Sequence, residues 1–323
     1  MEENLLKLQE ELLGQAYQHG GYREFIVRDL KKRRIKAAPF RDRVIHHALC
    51  NFIEPIFDKG FIYDSCACRK EKGTHKALKR LEQFIKLANT TLQEREGNLP
   101  APKIYCLQCD VSKYFDSINH QILFSLLKKK IADQKVLWLI KVIIESSNKE
   151  FGSGIPIGNL TSQLFANVYL NELDQFVKHK LLIKHYIRYM DDFLILDFEK
   201  KKLHQIKSEI QEFLRNKLKL GLHPKKANVF PTDKGIDFLG YQTFSLRPYG
   251  ARGPEGNYRL LRKSTVKRFI KRTKVYQKMI NKGLLSGKKF NNSLQSWTAY
   301  AECGNSWRLR QNLSEKLKVN LIK

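Results

Sequence analysis

Two adjacent aspartates, Asp191 and Asp192, lie in the middle of a mostly apolar and aromatic stretch, 185–196. Because β-forming residues lie on both sides of them, the stretch predicts a hairpin with both acids at its turn. Two carboxylates at the tip of a hairpin repel each other, and a divalent cation offsets that repulsion. The alternative is an ordinary hairpin, since aspartate is frequent in turns.

A third aspartate, Asp110, ends an apolar run that begins at Ile104, and helix-like sequence follows over 117–130. We therefore expect Asp110 at the end of a strand, where the sites of α/β proteins commonly lie. Three carboxylates on two neighbouring strand ends can hold two Mg²⁺ ions, and Mn²⁺ can take their place. Such a pair of ions activates an attacking 3′-hydroxyl and stabilises a leaving pyrophosphate.

Together, Tyr189-Met190-Asp191-Asp192 and the upstream Asp110-x-x-x-x-Phe115-Asp116 resemble the catalytic core of reverse transcriptases. The resemblance implies an RNA-directed DNA polymerase whose partners are template RNA, a primer or cDNA strand, and dNTPs. It also implies an α+β right-hand fold with fingers, a palm of antiparallel sheet and helices, and a helical thumb.

The expected boundaries of that fold follow from where the motifs lie. Fingers are expected over 1–105 and a palm over 106–245, with part of the fingers inserted before about residue 155. A basic helical thumb is expected over 246–323.

The same resemblance gives roles to residues around the motifs. Phe115 matches the family's steric gate, a ring beneath the sugar that excludes a ribose 2′-hydroxyl by a clash; a core aromatic is the alternative. Lys226 is expected to protonate pyrophosphate or contact its phosphates, with Lys225 as a rival and a solvated charge pair as the other explanation. The residues implied as metal-binding are Asp110, Val111, Asp191 and Asp192, and the three aspartates and Lys226 are implied as catalytic.

Two further segments are expected to contact the incoming nucleotide. Basic residues cluster just before a predicted helix, and a helix N-terminus with arginine and lysine makes a phosphate site. The resemblance implies Arg69 and Lys72 as triphosphate contacts, and a basic turn facing RNA is the alternative. A glycine-rich loop over 152–163 leads into another helix, and its small residues permit close approach of a base or backbone.

The glycine-rich loop also indicates a subfamily. Most intron-type reverse transcriptases have Gln-Gly in place of Ile157-Gly158 and Ser-Pro in place of Ser162-Gln163. The present pattern, like the segment 39–47, resembles diversity-generating retroelement reverse transcriptases, whose cDNA carries errors opposite template adenines. We expect Ile157 and Gln163 in the nucleotide pocket, where loss of one amide hydrogen bond is worth about 0.5–1.5 kcal/mol. This subfamily also implies a small basic accessory variability protein as a partner.

Two other functions stay open at this point. The first is a retron, CRISPR-associated or group II intron-type reverse transcriptase of normal fidelity. The second is a catalytically inactive RNA-binding protein of the same fold, against which the intact Asp110, Asp191 and Asp192 argue.

The chain is strongly basic, with 60 lysines and arginines against 32 acids and a formal net charge of +28. A surplus of this size indicates a polyanionic partner. The surplus of basic residues is concentrated over 245–323, which contains 19 lysines and arginines and three acids. Lysines at helical spacing there predict a basic stripe that contacts nucleic acid, formed by Lys263, Lys267, Lys271, Lys274 and Lys278.

The segment before this basic region resembles the primer grip, a hairpin whose apolar tip holds the primer end; its residues are Phe238, Leu239 and Gly240. Within the basic region, Trp297, Tyr300 and Trp307 are predicted to pack between helices. Asp116 is predicted to cap the helix that follows it, through the amides of Ser117 and Ile118.

The N-terminus lacks the basic start and apolar core of a signal peptide, and no apolar run reaches transmembrane length. The six cysteines are predicted to be reduced thiols rather than zinc ligands. We therefore expect no membrane association and a cytoplasmic location in a bacterial, archaeal or phage-infected host.

Overall fold

The computed structural model describes residues 2–28, 32–96, 103–147, 152–245 and 258–322. The chain divides into two compact units. The first consists of Met1–Gly73, Leu107–Ile195 and Lys201–Asn228, and the second of Thr74–Cys106, Leu196–Lys200 and Val229–Lys323. These boundaries differ from those of the expected fingers, palm and thumb, which stay a prediction.

The described residues form eleven α-helices. They are α1 (Glu2–Leu13), α2 (Phe40–Asp58), α3 (Thr74–Glu96), α4 (Tyr114–Ser117), α5 (His120–Lys128), α6 (Gln134–Glu145), α7 (Leu160–Gln175), α8 (Lys200–Leu218), α9 (Lys263–Asn281), α10 (Gly287–Glu302) and α11 (Trp307–Leu317). A π-helical turn, Phe176–Lys180, extends α7.

The strands form three sheets. They are β1 (Arg23–Arg28), β2 (Lys32–Ala37), β3 (Tyr105–Asp110), β4 (Tyr186–Tyr189), β5 (Asp192–Asp197), β6 (Asn228–Pro231), β7 (Ile236–Phe238), β8 (Tyr241–Phe244) and β9 (Tyr258–Leu261). The sheets have the orders β1-β2, β4-β5-β3-β6 and β7-β8-β9. The pairs β1–β2, β4–β5, β7–β8 and β8–β9 are antiparallel.

The core of the first unit is built around α7, which packs against α2 and α5. Its side chains are buried over almost the whole length of the helix, including Phe165, Tyr169 and Leu173. Because burial of each large apolar side chain is worth about 1.5–3 kcal/mol, α7 contributes strongly to the stability of the first unit.

The start of α5 corrects one prediction from the sequence. Asn119, not Asp116, caps the helix, because its Oδ1 accepts a hydrogen bond from Ile122 N at 3.0 Å. Asp116 instead lies in the short helix α4 and is exposed. The chain makes this separate helical turn before α5 begins, and an asparagine at the true boundary satisfies a free amide.

The second unit contains the β7-β8-β9 sheet and the three helices α9, α10 and α11. The ring of Trp297 on α10 stacks on Phe269 of α9, with 3.7 Å between ring centroids, which confirms its predicted packing role. Trp307 is different: it is the first residue of α11 and 57% exposed, so its predicted packing between helices is wrong. A residue in the first turn of a helix can point either to solvent or to the core. The spacing of residues in the sequence does not determine which of the two it does.

None of the helices in the described ranges has the length and apolar character needed to cross a bilayer. No disulfide joins any of the six cysteines, all of which lie in the described residues. Burial raises the pKa of the Cys50 and Cys109 thiols to about 12, which keeps both protonated near neutral pH.

Candidate active site

The predicted acidic hairpin is present in the first unit. Strands β4 and β5 pair with Tyr189 opposite Asp192, so Met190 and Asp191 form a two-residue connection. Met190 has φ of 58°, in the left-handed region. A residue other than glycine is uncommon there, and such strain is frequently found at functional turns.

Asp110 is the last residue of β3, as predicted. Backbone hydrogen bonds fix its surroundings: Val111 N donates to Asp191 O at 3.3 Å, and His223 N donates to Asp110 O at 2.8 Å. The first bond places the end of β3 beside the hairpin tip. The second brings in the segment that carries Lys226, whose Nζ forms an ion pair with the Asp110 carboxylate.

The electrostatics show that the three carboxylates act on one another. Burial, followed by the charges of Asp191 and Asp110, raises the pKa of Asp192 to about 7, while Lys226 lowers it. Burial is the largest cause, and the neighbouring carboxylates add to it. Within the described part of the chain, no three His, Cys, Asp or Glu side chains converge closely enough to enclose a metal ion as they stand.

The residues around the predicted steric gate separate into a core aromatic and an accessible one. Tyr114 is 2% exposed, and its hydroxyl donates to Ala166 O at 2.5 Å. Phe115 is half-buried, and its carbonyl accepts from Ile155 N at 2.8 Å. Tyr114 is therefore the core aromatic of this pair, and the role of Phe115 as a steric gate stays a prediction.

Ile157 lies against the hairpin β1–β2. Lys36 N donates to Ile157 O at 3.1 Å, and the half-buried Ile157 lines a cavity of about 120 Å³ together with Arg34, Lys36 and Asp116. Gln163, four residues into α7, is half-buried in the same unit. The structure thus gives Ile157 a cavity with charged walls, while the roles of Ile157 and Gln163 stay predictions.

Arg69 and Lys72 both have partners inside their own loop. Arg69 Nε donates to Asp58 Oδ1 at 2.5 Å, and its Nη1 donates to the carbonyls of Ile62 at 2.8 Å and Ser65 at 2.9 Å. Lys72 Nζ donates to Tyr63 O at 2.8 Å. The guanidinium of Arg69 is turned inward, so its predicted triphosphate contact requires it to leave these acceptors.

The predicted primer-grip hairpin is present in the second unit as β7–β8, with Phe238 opposite Tyr241. Leu239 and Gly240 have φ of 51° and 95° and form the tip. Phe238 is 1% exposed and belongs to the core, so only Leu239 and Gly240 are accessible at the tip. Tyr300 Oη donates to Gly240 O at 2.8 Å.

The predicted basic stripe lies on an exposed surface of α9, and its contact with nucleic acid stays a prediction. Its opposite face buries Phe269 and Thr273. The lysines of the stripe are all exposed, namely Lys263, Lys267, Lys271, Lys274 and Lys278.

The sequence analysis missed Arg188 and its partner Asp174. Both side chains are 0% exposed, and Arg188 Nη2 lies 2.6 Å from Asp174 Oδ2. A charged residue between Ile187 and Tyr189, in an otherwise apolar strand, is the signal that could have found them, because a lone buried charge requires a partner.

A strand-end aspartate, an acidic hairpin and a flanking lysine thus lie together in the first unit. The family model described as reverse transcriptase (RNA-dependent DNA polymerase) matches residues 28–243. The chain therefore belongs to the reverse transcriptase family, and its class of activity is that of an RNA-directed DNA polymerase.

Curated relatives agree with this membership. Protein YkfC of Escherichia coli (strain K12) is 27% identical over 280 residues, covering 74% of this chain and 71% of YkfC. The group II intron-encoded protein LtrA of Lactococcus lactis subsp. cremoris is 25% identical over 311 residues, covering 74% of this chain. The match covers 49% of LtrA, so the chain spans about half the length of that relative.

Solved structures confirm the fold class. A telomerase from Candida albicans, in complex with a TWJ fragment of telomeric RNA, has a TM-score of 0.54 at 13% identity, covering 95% of this chain and 63% of that one. An apo telomerase from Candida Tropicalis has a TM-score of 0.52 at 12% identity, covering 71% of this chain and 48% of that one. The predicted α+β fold of the right-hand polymerase type is therefore confirmed.

Proposed function

We propose that this chain copies the template RNA of a retroelement into cDNA by two-metal-ion nucleotidyl transfer. The observation that carries the proposal is the position of Asp110 at a strand end beside the hairpin tip with Asp191 and Asp192, where burial and then the charges of the other two aspartates raise the pKa of Asp192 to about 7. Template RNA, the growing cDNA strand and dNTPs are the expected partners, which agrees with the net charge of +28.

The donor set fits divalent cations. Carboxylate oxygens are the ligands that Mg²⁺ prefers, Mn²⁺ accepts them as well, and a bound cation would offset the repulsion that Asp191 and Asp110 exert on Asp192. Asp110, Asp191 and Asp192 would hold two such ions, with Val111 beside them. When bound, the ions would supply Lewis-acid activation of a 3′-hydroxyl and charge stabilisation for pyrophosphate.

The chain's own side chains complete the proposed site. Lys226 would keep its proton on Nζ beside Asp110 and either donate it to the leaving pyrophosphate or bind its phosphates. The ring of Phe115 would exclude a ribose 2′-hydroxyl. Lys72 would contact the triphosphate, and Arg69 would join it only after giving up Asp58.

Contacts with the nucleic acid are proposed for the second unit. The exposed lysines of α9 would contact phosphates of the template–primer duplex. The accessible tip residues Leu239 and Gly240 would touch the primer, with Phe238 supporting them from the core.

Within this activity we propose the mutagenic subclass, in which errors arise opposite template adenines and a small basic accessory protein takes part. Ile157 supports the proposal, since it offers only shape where glutamine would offer an amide. One lost hydrogen bond changes discrimination several-fold to about tenfold. The second candidate is a group II intron-type reverse transcriptase of normal fidelity, which the similarity to LtrA favours.

The test is primer extension by the full chain on a defined RNA template with dNTPs and Mg²⁺ or Mn²⁺, with and without any basic protein encoded beside it. The cDNA is then sequenced. Errors concentrated at template adenines support the mutagenic subclass, and faithful cDNA moves the function to the intron-type candidate. A wild-type chain that makes no cDNA under any of these conditions contradicts the proposal.

The contribution of Ile157 is tested with Ile157→Gln, which we expect to lower the error frequency several-fold. A matched control is Leu160→Gln, which places the same amide on another half-buried residue, at the start of α7. An error spectrum that is the same in Ile157→Gln and wild type contradicts the assigned role.

A further inference from the structure

We infer that Arg188, paired with Asp174, is a positioning residue that fixes the tip of the β4–β5 hairpin. Its guanidinium holds the carbonyl of Met190, and through it the directions of Asp191 and Asp192. The inference rests on the proposed function, because it concerns how the proposed catalytic carboxylates are presented.

The contacts of Arg188 account for all its hydrogen-bonding capacity. Its Nε and Nη2 donate to the two oxygens of Asp174 at 2.7 and 2.6 Å. Its Nη1 donates to Asn167 Oδ1 at 3.2 Å and to Met190 O at 3.0 Å. Nη2 also donates to Ser65 Oγ at 3.0 Å. A guanidinium has five N–H donors, and five acceptors meet them.

Burial argues that this pair does more than add stability. Both side chains are 0% exposed. Desolvation of two buried charges largely cancels their attraction, and a well-packed apolar pair of similar volume is commonly as stable or more stable. An apolar pair, however, offers no donor to the Met190 carbonyl. The feature that requires an arginine here is therefore the carbonyl at the hairpin tip.

The Met190 backbone explains why the tip requires such a bond. Its φ of 58° is in the left-handed region, which is unfavourable for a residue with a side chain. A hydrogen bond from a charged donor is stronger than one from a neutral donor and stabilises that conformation. Met190 immediately precedes Asp191, so a change in its backbone would swing both carboxylates away from Asp110.

Arg188 also joins the tip to the loop that carries Arg69 and Lys72. Its backbone N donates to Asp64 O at 3.0 Å, and Cys66 N donates to its carbonyl at 3.0 Å. The far side of the network is α7, because both Asp174 and Asn167 belong to that helix. Arg188 thus forms hydrogen bonds to α7, to this loop and to the acidic tip, and so links the three.

The test is Arg188→Lys in the full chain. Lysine keeps the charge but cannot supply the paired donors and the bond to Met190 at once. Supporting groups behind metal-binding carboxylates commonly account for 10–100-fold in metal affinity or activity. We expect Mn²⁺ affinity, titrated by electron paramagnetic resonance without nucleic acid, to fall about tenfold. We expect kcat for primer extension to fall 10–100-fold while KM for dNTP changes less than about threefold.

A matched control is Arg259→Lys in the second unit. Arg259 is also a buried arginine paired with an acid, Glu82, at 2.5 Å. We expect this variant to lower the melting temperature while leaving Mn²⁺ affinity and kcat at the wild-type values. A general loss of stability would move both variants alike, whereas a positioning role separates them.

If the Arg188→Lys variant folds and keeps wild-type Mn²⁺ affinity and kcat, the inference is overturned while the proposed function stands. If that variant does not fold, Asp174→Asn replaces it. This nearly isosteric change removes the charge of the acceptor, so we expect Mn²⁺ affinity and kcat to fall, but by less than in Arg188→Lys. If both quantities keep their wild-type values in Asp174→Asn, the inference is overturned. A wild-type chain that neither binds Mn²⁺ nor makes cDNA overturns the proposed function, and the inference falls with it.

Discussion

Two hairpin tips of the molecule are held by different kinds of hydrogen-bond donor. One is Met190-Asp191, between β4 and β5, and the other is Leu239-Gly240, between β7 and β8. Each is a two-residue connection with left-handed backbone. In each, a side-chain donor holds a tip carbonyl: Arg188 holds Met190 O at 3.0 Å, and Tyr300 holds Gly240 O at 2.8 Å.

The difference lies in what surrounds the donors. Arg188 is 0% exposed and fully hydrogen-bonded, whereas Tyr300 is half-buried and neutral. Both tips place a non-glycine residue in the left-handed region, Met190 at 58° and Leu239 at 51°, so backbone strain does not distinguish them. The acidic tip carries Asp191 and Asp192, and a charged donor holds its carbonyl. At the second tip the held carbonyl belongs to Gly240, for which a left-handed backbone carries no penalty, and its donor is a neutral hydroxyl. The restraint is stronger where charges must be presented.

The largest expected effect comes from removing the charges of the acidic tip. Asp191→Asn with Asp192→Asn should lower cDNA synthesis by about a thousandfold, since several kcal/mol of transition-state stabilisation depend on these carboxylates. Primer extension measures this loss. Asp133→Asn is the control, because asparagine caps α6 as well as aspartate does. If the double variant retains wild-type synthesis, the acidic tip is not the catalytic centre.

The glycine of the second tip gives the next effect. A Cβ at Gly240 would lie 2.6 Å from Tyr300 Oη, and its φ of 95° is unfavourable for any other residue. Gly240→Ala should lower the free energy of unfolding by roughly 2 kcal/mol, measured by urea denaturation. Adding Tyr300→Phe should recover part of that loss, because the clashing oxygen is gone. Strict additivity of the two changes would contradict the close contact.

The pH dependence of stability distinguishes the tips further. The pKa of Asp192 is about 7 in the folded chain and lower when unfolded, so the folded state binds the extra proton between these values. Without divalent metal, this group therefore favours folding at low pH, and that contribution is lost as pH rises through about 7. Melting temperatures at pH 6 and 8 in EDTA should show a decrease that Asp192→Asn reduces. An equal decrease in this variant would assign the pH effect to other groups.

The smallest effect is expected for Tyr300→Phe alone. It removes one neutral hydrogen bond to Gly240 O, worth about 0.5–1.5 kcal/mol, and leaves the ring packed at 4.8 Å from Tyr241. Thermal denaturation measures the change, with Tyr258→Phe as a control tyrosine. A loss well above about 1.5 kcal/mol would contradict a neutral hydrogen bond as the restraint of the second tip.

Features that depend on local pattern were predictable from sequence. The acidic hairpin, the strand end at Asp110 and the exposed lysines of α9 follow from alternation, propensity and helical spacing. The helix boundary was less predictable, because Asp116 and Asn119 are both good capping residues and only the separate turn α4 decides between them.

Features that depend on tertiary contacts were not predictable. Arg188 and Asp174 lie 14 positions apart, and composition alone places such charges on the surface. The inward turn of Arg69 depends on carbonyls that its loop presents only when folded. The exposure of Trp307 likewise depends on which side of α11 faces the rest of its unit.

The most direct test of the account is a Mn²⁺ titration of the full chain, followed by electron paramagnetic resonance, in wild type, Asp110→Asn and Asp192→Asn. Asp110 ends β3 and Asp192 begins β5, so only a shared site makes both necessary. We predict saturable binding in wild type and a large loss in each variant. Equal Mn²⁺ binding in all three proteins would show that these carboxylates do not form one cation site, and would contradict the central claim.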